Sequence, residues 1–163
     1  MRIDDLRPED WQAAARIYEE GLDVGTFEDA VPSWEEWDAK YLAEPRLAAR
    51  DDGGVLLGWA TLGPVSRRAC YRGVTENSIY VGRAARGHGV GRALLTELCR
   101  RADELGIWTI QAGILDGNDA SVALHASCGF RVVGVRERLA QKRGAWRNVT
   151  LMERRGPDPP PAP

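Results

Sequence analysis

Cysteine, histidine and lysine are scarce in this sequence. Its 163 residues include 3 cysteines and 2 histidines, and lysine occurs only at positions 40 and 142. No two of the cysteines, Cys70, Cys99 and Cys128, have the CxxC spacing of many zinc and redox sites, so neither a disulfide framework nor a structural zinc site is favoured. His88 and His125 are too few for a metal centre built mainly from histidine. We therefore expect reduced cysteines and no bound metal.

Excess positive charge and long apolar runs are also lacking. The formal net charge is -2, whereas nucleic-acid binding depends on a basic surface that neutralises phosphates. No stretch approaches the roughly 20 apolar residues that a membrane-spanning helix needs. The first residues, MRIDDLRPEDW, are acidic and lack the apolar core of a signal peptide. These absences predict no nucleic-acid partner, no membrane partner and a cytoplasmic location.

The remaining composition fits one domain. Hydrophobic residues make up 44% and charged residues 28% of the chain, a balance typical of globular proteins. A chain of this length buries roughly 70% of its unfolded surface around a single core. We expect one domain at 1–155, followed by a proline-rich segment at 156–163 (GPDPPPAP) that is expected to be disordered.

Apolar periodicity and turn residues predict an alternation of strands and helices. Ser33 and Glu36 have the spacing of a capping box, and Gly106 follows the apolar stripe of a long helix as a C-terminal cap would. The predicted strand at 74–81 leads directly into a glycine-rich loop and this long helix. Helices are predicted at about 8–22, 34–42, 89–105 and 118–127, and strands at about 2–7, 47–50, 55–62, 74–81, 107–114, 130–135 and 149–152.

The loop Arg86-Gly87-His88-Gly89-Val90-Gly91 is the strongest chemical signal in the sequence. Without side chains at the glycines, a ligand can approach the backbone closely, and N–H groups at the start of a helix attract an anion such as a pyrophosphate. The spacing fits neither the GxxxxGK(S/T) of P-loops nor the GxGxxG of dinucleotide folds, which argues against ATP or NAD. The alternative interpretation is a tight turn that binds nothing.

The pattern Arg86-x-x-Gly89-x-Gly91 resembles the Q/R-x-x-G-x-G/A motif of GNAT acetyltransferases, in which this loop holds the pyrophosphate of CoA. The strand 76–81 (ENSIYV) resembles the corresponding strand of phosphinothricin and methionine sulfoximine acetyltransferases. The segments 118–130 (NDASVALHASCGF) and 142–149 (KRGAWRNV) are similar to a later helix and a C-terminal pattern of the same enzymes. The likeness extends over about 3–152, and the order of the motifs is more specific than any one of them.

The resemblance implies an α/β (α+β) fold in which a strongly twisted mixed sheet of six to seven strands splits into a V, flanked by about four helices, with acetyl-CoA in the split. For Asn118 a pure helix-capping role is the alternative to a cosubstrate contact. Related enzymes are commonly dimers, so a homodimer is expected. The residues expected to contact acetyl-CoA are Ile79, Tyr80, Val81, Arg86, Gly87, His88, Gly89, Val90, Gly91, Arg92, Asn118 and Ser121.

The resemblance also gives catalytic roles to two titratable residues. Acetylation of an amine needs a group that removes the ammonium proton, and Glu76 matches the proposed base; the alternative is a solvent-facing glutamate. His125 matches a position where many GNAT enzymes carry a tyrosine thought to protonate the thiolate of CoA. Histidine, with an ordinary pKa of about 6.5, suits the same task. The alternative for His125 is a core histidine whose hydrogen bonds are satisfied.

Substrate binding is assigned to Phe27, Trp34, Arg72 and Glu76. Arg72 precedes Glu76 by four residues, which puts both side chains on one side of a regular strand, and an arginine pairs bidentately with a carboxylate or phosphinate. The alternatives are an ordinary surface arginine and, for the aromatic residues, a place in the core. Asn148 stands where these families usually carry Asp, and this difference leaves the substrate less defined.

Together these features predict an acetyl-CoA-dependent N-acetyltransferase that acetylates the primary amine of a small amino acid or analogue. Phosphinothricin, methionine sulfone or sulfoximine, and arsinothricin represent the expected substrate type, and detoxification or resistance the expected role. Two alternatives stay open. One is a GNAT enzyme for another amine, such as a polyamine, an aminoglycoside or a protein N-terminus. The other is a non-catalytic CoA-binding protein, which would need the loop but neither Glu76 nor His125.

Overall fold

The computed structural model describes residues 1–22 and 26–158, and within them seven strands form one sheet in the order β1-β2-β3-β4-β5-β7-β6. Only β4 and β5 pair in parallel among these strands. The strands are β1 (Arg2–Asp5), β2 (Arg46–Arg50), β3 (Leu56–Pro64), β4 (Val74–Val81), β5 (Thr109–Leu115), β6 (Arg131–Lys142) and β7 (Ala145–Arg155). The helices of the described residues are α1 (Trp11–Glu19), α2 (Trp34–Lys40), α3 (Val90–Glu104) and α4 (Asp119–Ser127).

The sheet splits between β4 and β5. These two strands pair only where Val74 to Glu76 lie beside Thr109 to Gln111. Beyond this point β4 stays paired with β3 up to Val81, and β5 stays paired with β7 up to Leu115. The predicted mixed sheet with a V-shaped split is therefore confirmed. The split leaves one backbone edge of β4 without a strand partner among the described residues.

Local signals in the sequence account for the helix boundaries. The Ser33 hydroxyl accepts a hydrogen bond from the Glu36 N–H at 3.2 Å, and the Ser33 N–H donates to the Glu36 carboxylate at 2.8 Å. This capping box begins α2 as predicted. At α4, the Asn118 side chain accepts a hydrogen bond from the Ser121 N–H at 3.2 Å. The side chain of Asn118 therefore caps the helix, whatever else it contacts.

Two clusters of apolar side chains lie on opposite faces of the sheet, because neighbouring residues of a strand point to opposite sides. The first cluster is covered by α3, whose Leu94, Leu95 and Leu98 are fully buried. The second is aromatic and is covered by α1 and α2, with Trp37 and Trp59 fully buried. Burial of one such leucine contributes about 1.5–3 kcal/mol, so α3 is held firmly against the sheet beside the split.

The last two strands are much longer than predicted. Sequence periodicity indicates strands only at 130–135 and 149–152, whereas β6 and β7 form a hairpin that extends to Lys142 and begins again at Ala145. The turn residues Arg143 and Gly144 have φ values of 50° and 76°, as a tight hairpin turn requires. Alternation is lost in β6 because its pairing with β7 is interrupted by two irregularities. The two predicted strands therefore coincide with parts of β6 and β7, and only their lengths were underestimated.

The C-terminal tail and a possible membrane-spanning helix are the two remaining features on which the sequence gives an expectation. The tail predicted at 156–163 is described only up to Asp158, and residues 159–163 lie outside the described part of the chain. Across the described ranges, no helix has both the length and the apolar character that crossing a membrane requires.

Candidate active site

A cavity of about 1020 Å³ occupies the split in the sheet. Its walls are formed by the unpaired edge of β4, the glycine-rich loop with the first turn of α3, the facing strand β5, the start of α4 and part of β6. This volume lies at the upper end of the usual range for ligand pockets. The cavity is therefore large enough for a long ligand and a second small one.

The glycine-rich loop opens into one end of this cavity. Gly87 and Gly89 have φ values of 79° and 80°, a backbone conformation that favours glycine. A methyl group added at either position would meet no atom of the described residues within 4 Å beyond its chain neighbours. The first N–H groups of a helix have no partner within the helix, and Val90, Gly91 and Arg92 line the cavity. This arrangement can bind an anion.

Two long side chains of the loop are bound to nearby backbone carbonyls. The Arg86 guanidinium folds back on β4, where its Nε donates a hydrogen bond to the Val81 carbonyl at 3.1 Å. The His88 ring nitrogen Nδ1 lies 2.9 Å from the Arg86 carbonyl, to which it can donate a hydrogen bond. His88 is not among the residues that line the cavity, whereas Arg86 is. The loop therefore offers its backbone to a ligand.

The predicted cosubstrate residues of β4 lie on its unpaired edge. Ile79, Tyr80 and Val81 all line the cavity. The Tyr80 ring is stacked between Tyr18 at 4.5 Å and Trp59 at 4.6 Å in the aromatic cluster, so it is the main chain of this strand that faces the split. Burial raises the pKa of Tyr80 to about 12, and the phenol is therefore protonated at neutral pH.

Glu76 lies at the apex of the split, where it is the last residue of β4 that pairs with β5, opposite Gln111. Its side chain is open to the cavity, and its carboxylate accepts a hydrogen bond from the backbone N–H of Gly113. Removal from bulk water raises the pKa of Glu76, while the Gly113 N–H and the positive charges of Lys40 and Arg136 partly offset this rise. A carboxylate with a raised pKa is a stronger base, so Glu76 is suited to accept a proton from an amine.

His125 is buried, and both of its ring nitrogens are engaged. Nδ1 lies 2.7 Å from the Ser121 carbonyl, and Nε2 lies 3.0 Å from the Asn77 side-chain nitrogen. Because a carbonyl only accepts hydrogen bonds, Nδ1 carries the proton and Nε2 accepts from the amide. Burial lowers the pKa of His125, and the ring packs edge-on against Phe130 at 5.0 Å. This geometry favours the interpretation of a satisfied core histidine.

The remaining predicted contacts at the cavity are Asn118, Ser121 and Phe27, all of which line it. The tip of the Phe27 ring would lie 3.6 Å from a methyl group added at Gly113, and this places the ring close to the Glu76 carboxylate. Lys142 holds the segment that carries Phe27. Its ammonium group donates hydrogen bonds to the carbonyls on either side of this residue, one of them at 2.9 Å.

Arg72 does not reach the cavity. The strand β4 begins at Val74, so the regular spacing assumed between Arg72 and Glu76 does not exist. The chain turns at Gly73, where an added methyl group would collide with the Trp108 ring at 2.1 Å. The Arg72 guanidinium lies over that same ring at 5.4 Å. The structure therefore corrects the premise that put Arg72 beside the base.

Trp34 also lies away from the cavity. It stacks on Trp37 with ring centroids 5.3 Å apart, and the Arg46 guanidinium lies 5.9 Å from its ring. Trp37 is fully buried in the aromatic cluster. The aromatic residues at helical spacing therefore pack in the core, which was the alternative to a role in substrate binding.

Several residues of the cavity escaped sequence reasoning. Lys40 and Tyr41 reach it from the end of α2, and Arg136 and Leu139 reach it from β6. Local sequence patterns indicate none of these four residues, because their positions at the cavity depend on how distant segments of the chain pack. Within the described residues no group of three or more His, Cys, Asp and Glu side chains could hold a metal ion.

Comparison with known proteins supplies the family. Residues 6–130 match the model of the acetyltransferase (GNAT) family. The phosphinothricin N-acetyltransferase of Alcaligenes faecalis is 38% identical over 158 residues, which cover 91% of this chain and 79% of that enzyme. The L-methionine sulfoximine/L-methionine sulfone acetyltransferase of Pseudomonas paraeruginosa is 38% identical over 109 residues, or 67% of this chain. This match spans only 63% of the Pseudomonas enzyme.

A solved structure agrees over nearly the whole chain. The phosphinothricin acetyltransferase of Sinorhizobium meliloti, crystallised in complex with AcCoA, superposes with a TM-score of 0.88 at 31% identity and covers 99% of this chain and 94% of its own. The resemblance drawn from the glycine-rich loop and its flanking segments is thereby confirmed. This chain belongs to the GNAT acetyltransferase family.

Proposed function

We propose that this protein is an acetyl-CoA-dependent N-acetyltransferase that transfers an acetyl group directly to the primary amine of a small amino acid or analogue. One observation carries the proposal: the Glu76 carboxylate and the open helix start at Gly89 line the same cavity. A non-catalytic CoA-binding protein has no need of a carboxylate with a raised pKa at the apex of the split. The relatives named for phosphinothricin and methionine sulfoximine support an amino-acid substrate.

The residues present fit acetyl-CoA, which supplies the acetyl group as a thioester. The open backbone at Gly87 and Gly89, with the N–H groups of the first turn of α3, suits a pyrophosphate. The unpaired edge of β4 offers main-chain groups along Ile79 to Val81 for the acyl end. Asn118 and Ser121 lie on the opposite wall and suit the pantetheine arm. All of these residues face one continuous space.

Glu76 acts on the amine in this proposal. A free amino acid carries its amine mainly as an ammonium ion at neutral pH, and this form cannot attack a thioester. Glu76 takes the proton, directly or through a water molecule, and so generates the attacking amine. The role of His125 as the acid for the departing thiolate stays a prediction. Its Nδ1 proton is already donated to the Ser121 carbonyl, which does not favour that role. A positioning role for His125 fits its hydrogen bonds better.

The test is a panel of amines incubated with acetyl-CoA and a thiol-detecting reagent. Phosphinothricin, methionine sulfone and arsinothricin should release free CoA, whereas spermidine, an aminoglycoside and a peptide with a free N-terminus should not. The Glu76→Gln variant serves as the control for acetyl-CoA hydrolysis without a base. If only the second group of amines reacts, the enzyme belongs to the alternative substrate class. If no amine reacts while calorimetry shows CoA binding, the protein is a CoA-binding module and the proposal is wrong.

A homodimer formed through the β6–β7 hairpin is part of the proposal. The edge strand β6 and the start of β7 carry apolar side chains that are exposed in the single chain: Val132, Val133, Val135, Leu139 and Trp146. Exposed apolar side chains on an edge strand favour association. Val135→Glu should produce monomers in sedimentation analysis, whereas Val55→Glu, on an equally exposed valine of the β2–β3 turn, should not. If the wild-type chain sediments as a monomer, the proposal of a homodimer is wrong.

A detoxifying role in the cytoplasm completes the proposal. Cys70, Cys99 and Cys128 are all free thiols, as is usual for proteins of a reducing compartment. Expression of the protein in a sensitive bacterium should raise the phosphinothricin concentration needed to stop growth, and the Glu76→Gln variant should not. Equal protection by both proteins would argue against detoxification by acetylation.

A further inference from the structure

Arg136 is a cation of the cavity whose side chain forms no hydrogen bond or ion pair with the residues that the structure describes. Its side chain lines the cavity, and its positive charge is one of those that hold down the pKa of Glu76. Within 1–22 and 26–158 the guanidinium makes no hydrogen bond and no ion pair. By contrast, Lys40 is paired with the Glu28 carboxylate, and Arg50 with Asp10 at 2.6 Å. Arg136 is thus available to a ligand in the same space as the base.

A bulge in β6 directs this side chain. Arg136 pairs with Val149, and the next paired position joins Ala140 to Arg147, so residues 137–139 stand opposite Asn148 alone. Extra residues in one strand of a pair bend it and redirect its side chains, often beside active sites. Leu139, the last residue of the bulge, also lines the cavity. The bulge therefore brings residues of an edge strand to the substrate end of the cavity.

Asn148 holds the bulge in place. Its side-chain oxygen accepts a hydrogen bond from the Arg138 N–H at 2.9 Å, and Arg138 has a φ of 48°, an unusual value for a residue with a side chain. The backbone of Asn148 is itself fixed to Asp116 by two hydrogen bonds, of 3.0 and 3.2 Å. The strained conformation of Arg138 is thus supported by one acceptor on a well-anchored strand.

The chemistry of the substrate matches this cation. An amino acid carries an acid group on the same molecule as its amine, and a guanidinium binds a carboxylate or phosphinate through two parallel hydrogen bonds. We propose that Arg136 holds the acid group of the acetyl acceptor, in place of Arg72, and that Asn148 positions Arg136 through the bulge. This inference rests on the proposed function, since it assumes an amino acid as the acceptor.

Steady-state kinetics of Arg136→Gln test the inference, with Arg131→Gln as the matched control. Arg131 is an exposed arginine of the same strand, paired with Glu153 and outside the cavity. The substrates are methionine sulfone, phosphinothricin and 3-(methylsulfonyl)propylamine, the analogue of methionine sulfone without a carboxylate. At a pH above the titration of Glu76, Arg136→Gln should raise KM for the two acids about 10- to 100-fold, while KM for the amine and all kcat values stay within about twofold of wild type.

The outcomes separate this inference from the proposed function. A rise in KM for both acids identifies the α-carboxylate as the bound group, and a rise for phosphinothricin alone identifies its phosphinate; both support the proposal. If the wild-type enzyme acetylates these acids and Arg136→Gln behaves like Arg131→Gln, the inference is wrong while the proposed function stands. Equal increases for acids and amine would also overturn it. A wild-type protein that acetylates none of them defeats the proposed function itself.

The positioning role of Asn148 has its own readout. Asn148→Ala removes the acceptor for the Arg138 N–H and should raise KM for the acids, though less than Arg136→Gln does. Asn148→Asp retains an acceptor oxygen and should restore KM towards wild type. Thermal unfolding of both variants checks that the fold survives. An Asn148→Ala enzyme with unchanged KM for the acids would remove Asn148 from the proposal.

Discussion

Gly89→Ala is the sharpest test of the anion-binding loop, because a matched control exists just beyond the other end of the same helix. Gly89 is the residue before α3 and has a φ of 80°. An alanine in this left-handed conformation costs about 1–2 kcal/mol. The added methyl group would meet no atom of the described residues within 4 Å beyond its chain neighbours, so it would project into open space at the cavity. The expected stability loss is therefore only this backbone strain.

The effect on CoA should be larger. A methyl group at the mouth of the helix keeps a pyrophosphate from approaching the first N–H groups. The loss of one hydrogen bond to a charged group costs about 1.5–3 kcal/mol, which corresponds to a Kd about 10- to 150-fold weaker. Gly106, just after the other end of α3, has a φ of 73° and equally open surroundings. Gly106→Ala should therefore lose similar stability without any loss of CoA affinity.

Calorimetric titration with CoA and thermal unfolding of the three proteins provide the assay. A ligand that binds only the folded state raises its stability by RT ln(1 + [L]/Kd), so saturating CoA should stabilise wild type and Gly106→Ala but stabilise Gly89→Ala much less. If Gly89→Ala binds CoA as tightly as Gly106→Ala, the loop does not bind CoA through its exposed backbone. The placement of CoA in this cavity would then be wrong.

Three further predictions concern the acceptor side of the cavity. Glu76→Gln should lower kcat about 10²- to 10⁴-fold with unchanged CoA affinity by calorimetry, and near-normal turnover would exclude Glu76 as the base. In wild type, kcat/KM should rise with pH as Glu76 loses its proton, at a pH above the ordinary carboxyl range because burial raises its pKa; Arg136→Gln should move this rise to higher pH, since a positive charge that lowers the pKa is lost. A pH–rate profile with no such shift would show that Arg136 does not act on the base. Lys142→Met should raise KM for the amine more than KM for acetyl-CoA, because the Lys142 ammonium binds the carbonyls of Thr26 and Glu28; equal changes in both values would contradict this role.

The sequence predicts this fold well where the signal is local. The predicted strand 74–81 coincides with β4, and the predicted helix 89–105 differs from α3 by one residue at each end. Alternation, an apolar stripe and a flanking glycine are all contained within these segments. The β6–β7 hairpin fails the same approach because the bulge at 137–139 breaks the alternation, and the residues RERLAQK then carry no period. Pairing with β7, which the local sequence does not encode, makes this segment a strand.

The site divides in the same way. The glycine-rich loop and Glu76 are contiguous with α3 and β4, so their place at the split follows from two adjacent elements. Arg72 was misplaced because the regular strand was assumed to continue through Gly73, where packing against Trp108 forces a turn instead. Arg136 could not be identified, since its direction depends on a register between two strands. The spacing of the glycines is enough to identify a residue of the loop, whereas the direction of a side chain beside a bulge depends on tertiary structure.

The hydrogen bonds of His125 bear on how the cavity keeps its shape. Its Nε2 accepts from Asn77 on β4, and its Nδ1 donates to Ser121 on α4, so the neutral ring joins two walls of the cavity. To give a proton to a thiolate, the ring would have to break one of these hydrogen bonds. Burial also disfavours the protonated imidazolium form that would serve as the acid. The same contacts keep Ser121 at a fixed distance from the strand that faces the acyl end. The hydrogen bonds of His125 therefore favour a role in holding α4 against β4, and in the proposed mechanism a water molecule is a better source than the bound ring for the proton that the departing thiolate takes up.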